Sequence, residues 1–280
     1  RKMLKKPSEI KFIFFGSSRF SEFVLEELEK SGYSPILKIT SAREPLPELN
    51  KLRELGADVF IVASFGKILP KELLEIPIHG SLNVHPSLLP KLRGASPIQG
   101  TILGMSEPGV TIIKMDEQMD HGPIIAQKAV PVDPFPDHYR VVEEKLAKAG
   151  GKLLTQALPV YLDGELKLRE QEDDKATFVK MVKKEDGLLD LNDDTEKNYR
   201  KVLAYSTWPG AYLFFSAKGG SANPEGGKRR EVRIVVKDAK IEPSSAQGFG
   251  GARDGKFVPV KIIPEGKREM DWQDFLRGNA

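Results

Sequence analysis

The sequence predicts an α/β protein in two parts: an N-terminal doubly wound, Rossmann-like and mostly parallel sheet, then a C-terminal small β-barrel. Three observations carry that expectation. Near-continuous apolar runs at 10–15 and 59–64 alternate with stretches of helical period, which is the pattern of parallel strands buried on both faces between helices. Polar residues able to do chemistry cluster at 80–123, beyond apolar strand runs, where open α/β sheets place ligands. After residue 165 the chain turns charged, and then gives short apolar segments separated by glycine-rich turns.

Ile10 to Phe15 reads as a first strand ending in Gly16-Ser17-Ser18, and Phe20, Phe23, Val24, Glu27 and Leu28 follow helical spacing up to Gly32. The Gly16 turn lacks the further glycines of a dinucleotide fingerprint. Gly16, Ser17 and Phe20 at this helix start are candidates for contact with a substrate end. Pro35 to Thr40 is a second strand, Leu46 to Leu55 a short helix and Val59 to Ser64 a third strand. Strands are expected at 79–85, 109–115 and 123–130, with a helix at 96–104 opened by Pro97; the last two strands form a hairpin. Asp137 to Leu158 is a long amphipathic helix that Pro159 is expected to stop. Residues 165–195 read as a linker, Asp194 to Tyr205 as a helix, and Ala211 to Ser216, Glu231 to Lys237 and Lys256 to Ile262 as strands. The division is therefore 8–164, linker 165–195 and 196–280.

With 280 residues, 40% hydrophobic and 30% charged, the chain is long enough for two domains with sizeable cores. It has no cysteine, which excludes disulfides, thiolate metal sites and a thiol nucleophile and makes the cytoplasm the expected compartment. No run approaches the length of a membrane span, so no membrane partner is expected. The chain opens on Arg1, which leaves room for residues upstream. The net charge of +3 is uneven: residues 197–280 hold 16 lysines and arginines against 9 acidic residues, leaving the rest of the chain acidic by 4 charges. A basic C-terminal portion suits a polyanion, although a solvated basic surface would look the same.

The stretch from Gly80 to Pro123 concentrates the chemistry. Asn83 and His85 stand two residues apart on one strand, so both side chains leave the same face, and Pro86 ends that strand. Ser87 to Pro90 is a Pro- and Leu-rich loop leading to Arg93-Gly94. The hairpin turn brings Asp120 in just before Gly122, where the backbone can turn tightly. A carboxamide, an imidazole and a carboxylate are the parts an acyl transfer to an amine needs: oxyanion donors, a polarising group and a proton acceptor. Taken singly, each has an ordinary structural reading, the histidine as a satisfied strand-end residue and the aspartate as a turn former.

Asn83 through Pro90, the Arg93-Gly94 pair and Met119-Asp120 resemble the signature of the folate-dependent formyltransferases. The similarity extends through Ala63 to Pro70, Trp208 to Tyr212, Pro264 to Lys267 and Phe275 to Gly278, and these C-terminal matches favour the branch that acts on methionyl-tRNA. The resemblance implies 10-formyltetrahydrofolate as co-substrate, initiator methionyl-tRNA as acceptor, a monomeric working state and an oligonucleotide-binding-like C-terminal fold. It assigns Asn83 to the oxyanion, His85 to polarising the formyl oxygen and Asp120 to accepting the proton. Phe65, Gly66 and Ile68 are expected to line the pterin pocket, with Ser87, Leu88, Leu89 and Pro90 against the folate. Arg43, Lys228, Arg229, Arg230 and Arg233 are expected to meet the tRNA. Arg93 has two readings, a site cation or an ion-pair anchor, and His121 either tunes Asp120 or points to solvent. A metal site from His85, His121 and Asp120 has no recognised ligand spacing, and none is expected.

Two other functions fit parts of this pattern: an amino-sugar or nucleotide formyltransferase with the same trio, and a catalytically idle RNA-binding module. The intact trio and the basic C-terminal portion favour the tRNA enzyme. One departure stands against it. Between Thr40 and Val59 the family has some forty more residues, including a basic loop, and the sequence expects strand 35–40 to be left at the sheet edge.

Overall fold

The computed structural model describes residues 5–216, 231–243 and 255–279. It divides into two compact units. Arg1–Thr101, Met105–Asp133 and Arg140–Met181 form one; Ile102–Gly104, Pro134–Tyr139 and Val182–Ala280 form the other.

The first unit starts with β1 (Phe12–Phe15), α1 (Arg19–Lys30), β2 (Leu37–Ile39), α2 (Leu49–Glu54), β3 (Val59–Val62), α3 (Lys71–Leu74) and β4 (Ser81–His85). The chain continues through β5 (Arg93–Gly94), α4 (Pro97–Ile102), β6 (Gly109–Lys114), β7 (Ile124–Ala129), α5 (Tyr139–Leu162) and β8 (Phe178–Val179). Among the described residues the main sheet runs β2-β1-β3-β4-β6-β7. Its first four strands are parallel, and β6 and β7 close it antiparallel as a hairpin. All four residues of β1 and of β3 are buried, which is why these strands read as apolar runs without alternation. Phe15 packs on Phe60 and Phe65 at centroid distances of 5.4 and 5.6 Å. Strand β2 is three residues long and sits at the sheet edge, where the shortened 41–58 region was expected to leave it.

Two expectations need correction here. Pro159 lies inside α5, which runs to Leu162. A proline so close to the carboxyl end removes one helix hydrogen bond, and the buried Leu158, Tyr161 and Leu162 hold the last turn onto the core. Nor is 165–181 a bare tether. Arg169 exchanges both backbone hydrogen bonds with Ile124, at 2.8 and 3.0 Å, and β8 pairs with β5 in parallel. Gly94 carries that pairing at φ +116, with its α-carbon pressed so closely on the Val179 carbonyl that a Cβ would lie 2.2 Å from the oxygen.

In the second unit α6 (Thr195–Ala204) precedes β9 (Ala211–Ser216), β10 (Glu231–Pro243), β11 (Gly255–Pro264), β12 (Met270–Asp271) and α7 (Trp272–Arg277). Among the described residues, these strands form one antiparallel sheet, ordered β12-β11-β10-β9. Leu213, Ile234, Val236 and Ile262 alternate onto its inner face, against Val202 of α6 and Phe275 of α7. Residues 217–230, with Lys228, Arg229 and Arg230, lie outside the described residues.

Candidate active site

The trio named from the sequence meets in the first unit. Alternation along β4 turns Asn83 and His85 to the same side, and the β6–β7 hairpin returns Asp120 over them. One carboxylate oxygen serves both partners: Asp120 Oδ1 accepts from Asn83 Nδ2 at 3.3 Å and lies 3.3 Å from His85 Nδ1. The other, Oδ2, accepts the backbone N–H of Gly94 at 2.8 Å. Asp120 itself, rather than Gly122, takes the left-handed conformation at this turn, with φ +53. Gly122 is needed for a different reason, a close approach to the Lys114 carbonyl.

His85 is only 4% exposed, and its Nε2 lies 3.0 Å from the Leu92 carbonyl, an acceptor that requires Nε2 to carry a proton. Burial works against a charge on this ring. The charge and hydrogen bond of Asp120, with the Leu92 carbonyl, outweigh burial and hold the imidazole pKa above its usual range. For Asp120, burial favours the neutral acid, but His85, the Gly94 N–H and Arg93 hold its pKa below the usual carboxylate range. Both shifts favour the ion-paired form, imidazolium with carboxylate.

Arg93 resolves as an anchor. It is buried, its Nη2 donates to Asp173 Oδ1 at 2.8 Å and its Nε donates to Gln171 Oε1 at 3.0 Å. Gln171 in turn donates from Nε2 to the carbonyls of Asp120 and Gly122, at 2.9 and 2.8 Å. Sequence reading missed Gln171, because it lies in the charged stretch taken for a linker and no local pattern marks it. His121 neither contacts Asp120 nor points freely to solvent. Its Nδ1 is 2.7 Å from Asp116 and its Nε2 3.5 Å from Asp173, and the hydrogen bond to Asp116 holds its pKa up.

Other expected site residues are placed differently. Phe20 is buried in the core of the unit, which removes it as a substrate contact. The Gly16 N–H donates to the Ile39 carbonyl, and a Cβ there would collide with Ser21, so Gly16 serves packing rather than an incoming anion. Ser17 is exposed, with its hydroxyl donating to the Phe65 carbonyl. Phe65 faces the core, Gly66 is exposed at φ +73, and Ile68 is 82% exposed. In the 87–90 loop, Ser87 and Leu89 are buried. Their N–H groups donate to the His85 carbonyl and the Thr111 hydroxyl, and the Pro90 carbonyl accepts from Thr177, so those backbone groups are spent within the protein. Leu88 and Pro90 remain half-buried. Arg43 is exposed beyond β2, and Arg233 stacks over the Tyr212 ring at 4.0 Å. A cavity of about 620 Å³ lies at the other end of β4, lined by Lys71, Ile78, Lys114 and Asp116 and not by the trio.

Two family models match the chain: formyl transferase over residues 15–158 and formyl transferase, C-terminal domain, over 181–280. A methionyl-tRNA formyltransferase of Myxococcus xanthus is 37% identical over 263 residues, covering 91% of this chain and 80% of the relative. Among solved structures, the methionyl-tRNA formyltransferase of Clostridium thermocellum aligns with a TM-score of 0.60 at 18% identity, covering 90% of this chain and 99% of that one. HypX of Aquifex aeolicus in complex with tetrahydrofolic acid aligns with a TM-score of 0.65 at 18% identity, over 94% of this chain and 46% of that one.

Proposed function

The chain belongs to the formyl transferase family, and from that membership we infer that it transfers a formyl group from 10-formyltetrahydrofolate to the α-amino group of methionyl-tRNA. The observation that carries the chemistry is the convergence of Asn83 and His85 on a single oxygen of Asp120. A formyl oxygen entering beside that oxygen meets the Asn83 N–H not used on Asp120 and lies near the His85 ring, whose protonated form favours the negative charge that develops as the carbon becomes tetrahedral. The attacking amine has an ordinary pKa near 8 and needs little activation. Asp120, held ionised, takes the proton from the new ammonium, directly or through water. The folate nitrogen leaves with a proton as the carbon–nitrogen bond breaks, giving formyl-methionyl-tRNA and tetrahydrofolate.

On this reading the catalytic portion extends to Met181, because the segment after α5 brackets the Asp120 loop, and the C-terminal unit carries the tRNA. Leu88, Pro90, Gly66 and exposed Ile68 are the residues of the expected folate-binding set left able to face a ligand. A monomer acting in the cytoplasm completes the reading, since that is where aminoacyl-tRNA is made and used. A formylation assay with charged methionyl-tRNA and 10-formyltetrahydrofolate tests it. Absence of formyl-methionyl-tRNA, with turnover of an amino-sugar nucleotide instead, would transfer the trio to the alternative acceptor class.

The basic C-terminal residues supply a second test. With Lys228, Arg229, Arg230, Arg233 and Lys237 neutralised, the logarithm of tRNA affinity should fall less steeply with salt, by about 0.7 to 0.9 in slope for each lost phosphate contact. An unchanged slope would place the tRNA elsewhere. A third test concerns acceptor choice. With the region between Thr40 and Leu52 short, and Arg43 the cation beyond β2, preference for initiator over elongator methionyl-tRNA should be weaker than in a full-length relative assayed beside it. A basic loop grafted between Arg43 and Pro47 should sharpen it, and equal discrimination by the ungrafted chain would overturn the argument.

A further inference from the structure

We propose that Gln171 is a positioning residue for formyl transfer, a carboxamide bracket that holds the Asp120 turn in its working conformation. The inference rests on the formyl-transfer reading above and adds to the trio a residue from beyond α5.

Gln171 makes three hydrogen bonds with one side-chain amide. Its Nε2 uses both protons on carbonyls of the same turn, Asp120 at 2.9 Å and Gly122 at 2.8 Å, while its Oε1 accepts from Arg93 Nε at 3.0 Å. The turn it grips is one that L residues seldom adopt, with Asp120 at φ +53. Asp120 is thus held at both ends. Gln171 fixes its backbone, and Gly94, Asn83 and His85 receive its carboxylate. The bracket has its own footing, since Arg169 is bridged to Ile124 and Thr177 closes on Pro90, Leu92 and Arg93. Arg93 joins the two halves: its Nε–H donates to Gln171 Oε1, its Nη2 pairs with Asp173, and its charge helps keep Asp120 ionised. The charged groups around the trio are Arg93 on β5, Asp116 and His121 in the hairpin loop, and Asp173 after α5.

Misplacement of a reacting group by about 1 Å costs on the order of a hundredfold in rate. The test uses the full chain with Gln171→Met, which keeps the volume and loses all three bonds, and Gln171→Glu, which can still accept from Arg93 but donates to neither carbonyl. In both variants kcat should fall about ten- to a hundredfold, with KM for formyl-tetrahydrofolate and methionyl-tRNA little changed. The ring C–H titration of His85, followed by NMR, should move to lower pH, because burial then acts on an imidazole whose carboxylate partner has shifted. Wild-type kcat in Gln171→Glu, or a His85 titration unmoved in either variant, would overturn the proposal; so would a rise in KM at constant kcat. Should Gln171→Met fail to fold, Gln171→Glu decides alone. A wild-type chain inactive on methionyl-tRNA would sink the formyl-transfer reading, while the His85 titration would still judge the bracket.

Discussion

Asp120→Asn lowers formyl transfer to methionyl-tRNA by about a hundredfold to ten-thousandfold, the usual consequence of losing a positioned proton acceptor. Asparagine keeps an oxygen for the Gly94 N–H and tolerates a left-handed turn, so the hairpin and folate affinity should survive. What disappears is the charge that holds the His85 imidazole pKa up against its burial. The variant therefore also lowers the His85 pKa, and its residual activity should fall as pH rises through that lower value. The same pair shapes stability. His85 has a raised folded pKa, so its contribution is complete below 6.5, its ordinary value, and is lost as pH rises through the folded value. Asp120 has a lowered one, so its contribution is complete above 3.8 and is lost as pH falls through the folded value. The ion pair is fully present between those two ordinary values. Steady-state kinetics with a folate-binding measurement decides the case: activity within about tenfold of wild type would remove Asp120 from proton transfer.

Gly122→Ala should be the most damaging single methyl addition in the catalytic unit. A Cβ there would stand 1.9 Å from the Lys114 carbonyl oxygen and 3.4 Å from the Asp116 nitrogen, both backbone atoms of the same hairpin. Neither can yield without breaking the register that brings Asp120 over β4, so we expect a loss of about 3 kcal/mol or more. Gly56→Ala is the control. Gly56 has φ +60 and nothing within 4 Å, so only the backbone penalty of about 1–2 kcal/mol applies. Urea unfolding of both variants checks the expectation, and equal midpoints would show that the hairpin opens without cost.

The sequence by itself determined the six strands of the main sheet and the longer helices, and singled out the three side chains that meet on Asp120, but it marked neither β5 and β8 nor the short elements α3, β12 and α7. Buried strands such as Phe12–Phe15 and Val59–Val62 announce themselves as apolar runs, Pro86 ends β4 where it must, and a spacing of two puts Asn83 and His85 on one face. These are short-range rules, in which the period of the backbone acts on neighbouring residues. The tertiary structure decided what each polar group spends its hydrogen bonds on. Nothing within a few residues of Gln171 says that its amide reaches back 51 positions to the Asp120 carbonyl, or that Arg93 finds Asp173 from 80 positions away. Phe20, Gly16 and the N–H groups of Ser87 and Leu89 look available in the sequence and are taken up in the fold. Likewise Pro159, a helix stop by local propensity, is carried inside α5 by the burial of Leu158, Tyr161 and Leu162. The physical reason is common to all of these. Local propensity is set by a residue and its neighbours, whereas burial and hydrogen-bond satisfaction depend on segments that meet only after the chain has folded.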